Sequence, residues 1–456
     1  MSLSKFLFAS FPYNCYEIGH TWSPHCYQSW FGIWYDVFVR ALKLYGLLYL
    51  VGQLVSRRYK RKAFFNSLKN TLKSSMFISS NFYFYLFFVC FGNKILGRLY
   101  LAPATFLAGF FSALVAIHVE KPGRRRMLAL YMLNLASDMV YRMLHSRNLV
   151  PYVPYSEVVT FASCVGSYVY YARKHGYYND PVPLLLKYLL GPDELKSAKK
   201  QLEVKTKKRV SEGKLSVNDV NGNDEIKNGT VPTDRRRRYV HTHGSFSRIV
   251  TATLKSGGTG WTMGAIISLL SSFKSILKGS RSVTSLLTSS SARRMGLFFA
   301  SLTGIYTITS SLLEHVCGER LDWHGLVAGS MGGLAASSIM PNSNISLYLA
   351  WKLIELVYLK SSEENLVPSF SHAPALLYSL CTGLMLYVAI VEPHNLRPQY
   401  LKFLDEISGH MVRRINRYPL DILGLHSSRT FPDFFPFHLD RRFISKQFLE
   451  TVLIWM

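Results

Sequence analysis

Residues Leu128–Tyr141 read LALYMLNLASDMVY, and residues Ile345–Tyr358 read ISLYLAWKLIELVY. The two segments lie in one ungapped register at a shift of 217 residues, which also sets NLVP (Asn148–Pro151) on NLVP (Asn365–Pro368). The same register places Cys164, Gly166, Tyr170 and Ala172 on Cys381, Gly383, Tyr387 and Ala389. Upstream, a shift of 220 brings LAGFFSALVA (Leu107–Ala116) onto VAGSMGGLAA (Val327–Ala336), with the difference absorbed in the loop that holds Arg124, Arg125 and Arg126. A shared tetrapeptide and an acid at one register position, Asp138 and Glu355, are not what chance matching of apolar text produces. The chain reads as an internal duplication, and a period this long makes each copy several helices.

Uncharged runs between flanking charges give the candidate spans, because about 20 apolar residues cross a bilayer and a central charge costs about 2.5–3.5 kcal/mol on insertion scales. Six runs qualify: Ser74–Asn93, Leu99–Val119, Val158–Ala172, Met295–Leu313, Trp323–Trp351 and Asn365–Val391. With 49% hydrophobic, 14% aromatic and only 18% charged residues, the 456-residue chain is more apolar than an average soluble protein, whose charged share is about 25%. Two further helices, Met127–Tyr141 and Ile345–Leu359, carry Asp138 and Glu355 and would be poor spans if they faced lipid. The fold class expected is an all-α polytopic membrane protein of two tandem repeats, each of about four transmembrane helices.

Fifty-three Lys and Arg against 27 Asp and Glu give a formal charge of +26. The basic residues gather in Arg57–Lys73, in Lys121–Arg126 and in the central linker, so the positive-inside bias puts both termini and the linker in the cytosol. An even number of spans per half then makes the repeats parallel. In the first leading segment Asp36, Arg40 and Lys43 share one helical face opposite Phe38, Leu42 and Tyr45, as in a helix lying in the interface. The second, GGTGWTMGAIISLLSSF from Gly257, is uncharged but rich in Gly, Ser and Thr and stays open between span and surface. The domains expected are residues 1–56 (N-terminal Cys/His motif and interfacial helix), 57–190 (first repeat), 191–260 (linker), 261–392 (second repeat) and 393–456 (cytosolic tail).

Within the spans, Gly325, Gly329 and Gly333 recur every four residues, and the first copy carries Gly109 among Ala108, Ser112 and Ala113. Small residues at this spacing let helix backbones approach closely in lipid. The expected use is tight packing within one subunit, with a pore or dimer seam as the alternative. Asp138 has Arg142 four residues on, and Glu355 has Lys352 three residues back, so local ion pairs account for both acids as readily as a substrate or proton pathway does.

The linker holds KSAKKQLEVKTKKR and the run Arg235, Arg236, Arg237 and Arg238; its low hydrophobicity and high charge predict disorder. Beside membrane helices such clusters attract anionic lipids. Nucleic acid is not expected as a partner, because no aromatic residues interleave with the charges. No phosphate loop, nucleophile elbow, zinc-protease helix or dinucleotide fingerprint is present, so neither an enzyme nor a cofactor is expected.

Near the start, NCYEIGHTWSPHC (Asn14–Cys26) packs Cys15, His20, His25 and Cys26 into one short stretch. These could close a tetrahedral zinc site, but the Cys-x-x-Cys spacing is missing and His25 adjoins Cys26, so a packed cap is the first reading and no metal is assigned. A disulfide is disfavoured in a reducing cytosol. NCYEIGHTW with Pro24 and Cys26 resembles the N-terminal hallmark of the transmembrane protein 135 family. The likeness continues through KILG (Lys94–Gly97), ISLYLAWKLIE (Ile345–Glu355), the Pro368 and His372 region and LRPQYLKFL (Leu396–Leu404). The sequence departs from that pattern at the linker's end, where His241 and His243 stand without the second Cys- and His-rich stretch of other members. The resemblance implies a peroxisomal and mitochondrial membrane protein acting in mitochondrial fission and fusion balance, peroxisome organisation and lipid metabolism, with the cytosolic fission machinery as a partner. It also implies distant similarity to the mitochondrial inner-membrane translocase channel family. A transporter or channel for a lipid-derived metabolite is the alternative function.

Overall fold

The computed structural model describes residues 9–55, 61–175, 181–191, 245–271, 289–319, 321–368, 370–432 and 439–453. These residues are predominantly helical; the described strands are two short ones, β1 (Ser10–Phe11) and β2 (Leu99–Tyr100), paired antiparallel with Ser10 opposite Tyr100. The chain divides into two units, one formed by Met1–Tyr152 with Asn365–Met456 and the other by Val153–Glu364.

The first unit begins with a single helical turn, α1 (Cys15–Ile18), followed by the long helices α2 (Cys26–Val55) and α3 (Arg61–Leu96), which pack along each other. A π-helical turn at Pro103–Leu107 leads into α4 (Ala108–Ala116), and α5 (Pro122–Ser146) follows, its start set by Pro122, whose missing N–H is no loss at a helix's first position. Later in the sequence, α12 (Ala373–Val391) packs on both α4 and α5. The segment expected as a tail is folded into the same core. Leu401, Leu404 and Ile407 of α13 (Pro398–Ile407), together with Leu420, Leu439 and Phe448, are buried with Phe11, Tyr16 and Ile18.

In the second unit α6 (Ser156–His175) packs on α10 (His324–Ile339) and α11 (Ser343–Glu363), while α9 (Ser290–Cys317) packs on α10 and on α8 (Ser245–Ser271). The short α7 (Pro181–Leu190) rests on α6, α8 and α9. Phe161, Tyr168, Phe299, Leu302 and Tyr306 form its core. The second leading segment is therefore part of α8, a helix that starts at Ser245, inside the stretch assigned to the linker. The linker's run Arg235–Arg238, with His241 and His243, lies outside the described residues.

Three described helices are long and apolar enough to cross a membrane: α3, α9 and α12. They contain or overlap the runs Ser74–Asn93, Met295–Leu313 and Asn365–Val391. The other runs differ from expectation for local reasons. Leu99–Val119 is divided among β2, the π turn and α4; at 1.5 Å per residue its helical stretch Ala104–Ala116 reaches about 20 Å, short of a hydrocarbon core of about 30 Å. Trp323–Trp351 is broken at Met340–Asn342, where Pro341 precedes Asn342, whose side chain caps α11 by accepting from the N–H groups of Asn344 and Ile345. Val158–Ala172 is helical in α6, but that helix is not among the three. In α2 the buried stripe is Ile33, Val37 and Ala41, one turn apart, rather than the face of Phe38, Leu42 and Tyr45. Phe31, Tyr35, Leu47 and Leu48 of α2 and Phe64, Phe65 and Leu68 of α3 stay exposed, an apolar covering suited to lipid.

Candidate functional site

The N-terminal motif folds as a small cap on the first unit. Asn14 begins α1 with a capping box: its side chain accepts from the Glu17 N–H at 2.9 Å, and its own N–H donates to Glu17 Oε2 at 2.7 Å. The other carboxylate oxygen of Glu17 accepts from the Ser445 N–H at 2.6 Å, so this fully buried acid joins the motif to the end of the chain. Tyr16 Oη accepts from the Asp440 N–H at 2.8 Å, and the Asn416 N–H donates to the Ile18 carbonyl at 2.9 Å. Each partner lies hundreds of residues away in sequence. Local pattern could not name them.

The cap brings Cys15, His20 and Cys26 together with Cys90 of α3, with one ligating atom of each within 4.8 Å of every other. Cys15 Sγ and Cys26 Sγ are 3.5 Å apart, and both are free thiols. His20 is fully buried and its Nδ1 lies 2.8 Å from the Ser23 carbonyl, while Nε2 is buried with no hydrogen-bond partner. Trp30 Nε1–H donates to Cys90 Sγ at 3.4 Å. Burial opposes charge on His20, but Cys15 and Cys26 outweigh it and raise its pKa to about 10, and contacts led by Cys15 depress that of Cys26. His25 stands outside the cluster, stacked on Tyr27 and edge-on to Phe443. Cys90 was invisible to spacing because it sits in a charge-free span, and the only sequence signal was a thiol less than one turn from that run's polar end.

The two acids at the repeat register are each held inside their own unit. Asp138 Oδ2 accepts from Arg397 Nε at 2.6 Å and from Arg142 Nε at 2.8 Å, and the Arg397 and Asp138 side chains are both only 8% exposed. Glu355 Oε2 accepts from Lys352 Nζ at 2.8 Å. Arg142 and Lys352 are the local partners expected from spacing; Arg397, from the chain after the last span, is a partner that spacing did not offer. Glu392 is similarly enclosed by Arg147 at 2.5 Å and Asn395 at 2.7 Å. In the second unit the buried Arg173 donates to Tyr306 Oη at 2.7 Å.

The small residues mark close helix contacts within each unit. A Cβ on Gly109 would meet Gly383 Cα at 2.9 Å, and one on Gly329 would meet Gly166 Cα at 2.7 Å. Gly333 lies against Ala162 Cα at 2.8 Å and Gly325 against the Arg173 side chain at 2.9 Å by the same measure. No side chain fits at such helix crossings, the small-residue geometry of packing in lipid.

Three helices long and apolar enough to cross a bilayer, close helix contacts at glycines and buried charges paired inside are the features of an α-helical membrane protein. Residues 12–145 match the family model described as the N-terminal cysteine-rich region of Transmembrane protein 135, a match that supports the resemblance to that family over this stretch. The matched region contains Cys15, Cys26 and Cys90 and no other cysteine, so all of its thiols belong to the cluster. No solved structure matches the chain.

Proposed function

We propose that this protein is a non-enzymatic organiser of peroxisomal and mitochondrial membranes. It acts on mitochondrial fission and fusion balance, peroxisome organisation and lipid metabolism, with its termini and basic linker in the cytosol, where they meet the fission machinery and anionic lipids. The family-model match over residues 12–145 supports the membrane setting. The observation that carries the choice over a proton or substrate pathway is the closure of Asp138 by Arg397 and Arg142, and of Glu355 by Lys352. A pathway acid serves by exchanging its partner, whereas an acid held by two guanidinium groups is a structural tie.

The architecture we infer is a duplication in which each unit takes three helices from one repeat and the fourth from the other. The first unit joins α3, α4 and α5 to α12; the second joins α9, α10 and α11 to α6. Under the two sequence shifts, the Gly109–Gly383 contact of one unit is the counterpart of the Gly329–Gly166 contact of the other, and this correspondence supports the inference.

The test is rescue of organelle morphology in cells lacking the protein, with charge pairs replaced together so that no lone charge is left buried: Asp138→Asn with Arg397→Gln, and Lys352→Gln with Glu355→Gln. Rescue at normal membrane abundance is expected. Failure at normal abundance would put transport first. One observation favours that second reading: an apolar cleft in the first unit with a cavity volume of about 90 Å³, lined by Trp22, Tyr85, Leu86, Leu386 and Val412 among others. Tyr85 Oη and Trp22 Nε1 are buried there without hydrogen-bond partners, which suits the polar end of a lipid-derived molecule rather than its whole body.

A further inference from the structure

We propose that Cys15, His20, Cys26 and Cys90 form a closed tetrahedral zinc site that fastens the N-terminal cap to α3. The inference rests on the geometry of the cluster and stands apart from the functional reading above.

Four observations converge on it. First, the ligand set is three thiols and one imidazole, a composition of structural zinc centres, and it fills all four positions. Second, the spacing fits. With Zn–S near 2.3 Å, neighbouring sulfurs of a tetrahedron lie about 3.8 Å apart. The 3.5 Å between Cys15 Sγ and Cys26 Sγ is close to that edge and far beyond a disulfide's length of about 2.05 Å.

Third, His20 is oriented as a metal ligand. Nδ1–H donates to the Ser23 carbonyl, which fixes the ring and leaves the Nε2 lone pair free. That nitrogen is buried without a hydrogen-bond partner, an arrangement costly to leave unmet and satisfied by a metal bond. Fourth, outer contacts to the ligands are in place: Trp30 Nε1–H donates to Cys90 Sγ, and Trp22 packs edge-on to the His20 ring. Gly19 completes the turn between Cys15 and His20, since a Cβ there would meet the Cys15 carbonyl at 3.0 Å.

Soft thiolates with one imidazole in a closed tetrahedron select zinc among the common divalent ions, and no open position remains for catalysis. On binding, the cluster releases its protons to solvent, from the thiols and from the imidazolium of His20, which then binds as neutral imidazole, with no change of oxidation state. Cys90 thereby ties a membrane helix to a cap that also holds the C-terminal segment through Glu17, Tyr16 and Ile18. The metal would set the position of both chain ends on this unit.

The experiment is metal analysis of the full chain, purified in detergent without chelator. About one zinc per chain is expected. Cys26→Ser and Cys90→Ser should each lose it, whereas His25→Ala and Cys317→Ser, which alter a residue outside the cluster and an exposed thiol, should keep it. Because a ligand variant could fail to fold, the wild type is also exchanged with cobalt, which gives the intense visible bands and sulfur-to-metal charge transfer of a tetrahedral thiolate site. Zinc-free wild-type protein that also gives no cobalt spectrum overturns the proposal. So does a Cys15–Cys26 disulfide in the folded protein, or zinc that survives both serine substitutions.

Discussion

The two units use the same helix contacts and differ in what is added to them. In the second, the close approach of Gly329 and Gly166 sits within a bundle whose acid, Glu355, is met by Lys352 of its own helix. In the first, the matching approach of Gly109 and Gly383 is overlaid by a cap drawn from both ends of the chain, and the matching acid, Asp138, is gripped by Arg397 from that added segment. On the duplication inferred above, the scaffold has diverged by accretion at one copy. The thiol cluster, the apolar cleft and the Asp138–Arg397 pair all lie where the added segments meet the scaffold helices, so function is to be sought there.

The largest break in the comparison should come from Arg397. Arg397→Met leaves Asp138 with Arg142 alone, whose side chain is 44% exposed. Breaking a buried ion pair from one side costs about 3–5 kcal/mol, so a loss of that order is expected in the detergent unfolding of the full chain. Lys352→Met takes from Glu355, whose side chain is 11% exposed, the ammonium that holds it, and a loss of the same order is expected. A loss at Lys352 with none at Arg397 would show that Arg142 alone holds Asp138 and that the added segment contributes nothing to it.

The glycine contacts should respond alike. Gly329→Ala and Gly109→Ala each push a methyl group into backbone, and overpacking of this kind costs about 1–3 kcal/mol. Gly92→Ala in α3 is the control: nothing lies within 4 Å of its added Cβ, and replacing a helical glycine there should be neutral or stabilising by about 0.5–1 kcal/mol. Thermal unfolding in detergent reads all three. A tolerant Gly109 beside an intolerant Gly329 would break the correspondence on which the exchanged-helix architecture depends. A smaller effect is expected in the cap, where Asn14→Ala removes the acceptor for the Glu17 N–H and should cost about 1 kcal/mol, seen as earlier proteolysis of the N-terminal segment.

How much of this was legible depended on whether the deciding partner was near in sequence. Ser74–Asn93 announced a span because charge is excluded from lipid whatever the fold. Arg142 and Lys352 were readable as partners because a helix turn fixes who meets whom. The stripe of Gly325, Gly329 and Gly333 announced close approach but not against what, for a missing side chain carries no address. Cys90 and Arg397 were missed for the same reason: each meets its partners only after distant segments fold together. The break at Met340–Asn342 was in plain view at Pro341, and the absence of charge across the run obscured it.

The smallest effect sharpens the comparison most, because it concerns the tetrapeptide that first suggested duplication. Asn148 and Asn365 both adopt the left-handed conformation, with φ of 56° and 57°, just past the ends of α5 and α11. There the chain reverses out of a helix, and the Leu149 N–H reaches back to the Leu144 carbonyl at 2.9 Å. Asparagine tolerates this region where most residues lose about 1–2 kcal/mol, and the proline that closes each NLVP bars the helix from resuming. Asn148→Ala and Asn365→Ala should therefore each cost about 1 kcal/mol in thermal unfolding, and Asn→Gly at either position should restore the loss. Matching costs are what one inherited helix stop predicts. A cost at Asn148 alone would mean that the two copies of NLVP end their helices by different means, and the tetrapeptide would cease to count toward the duplication.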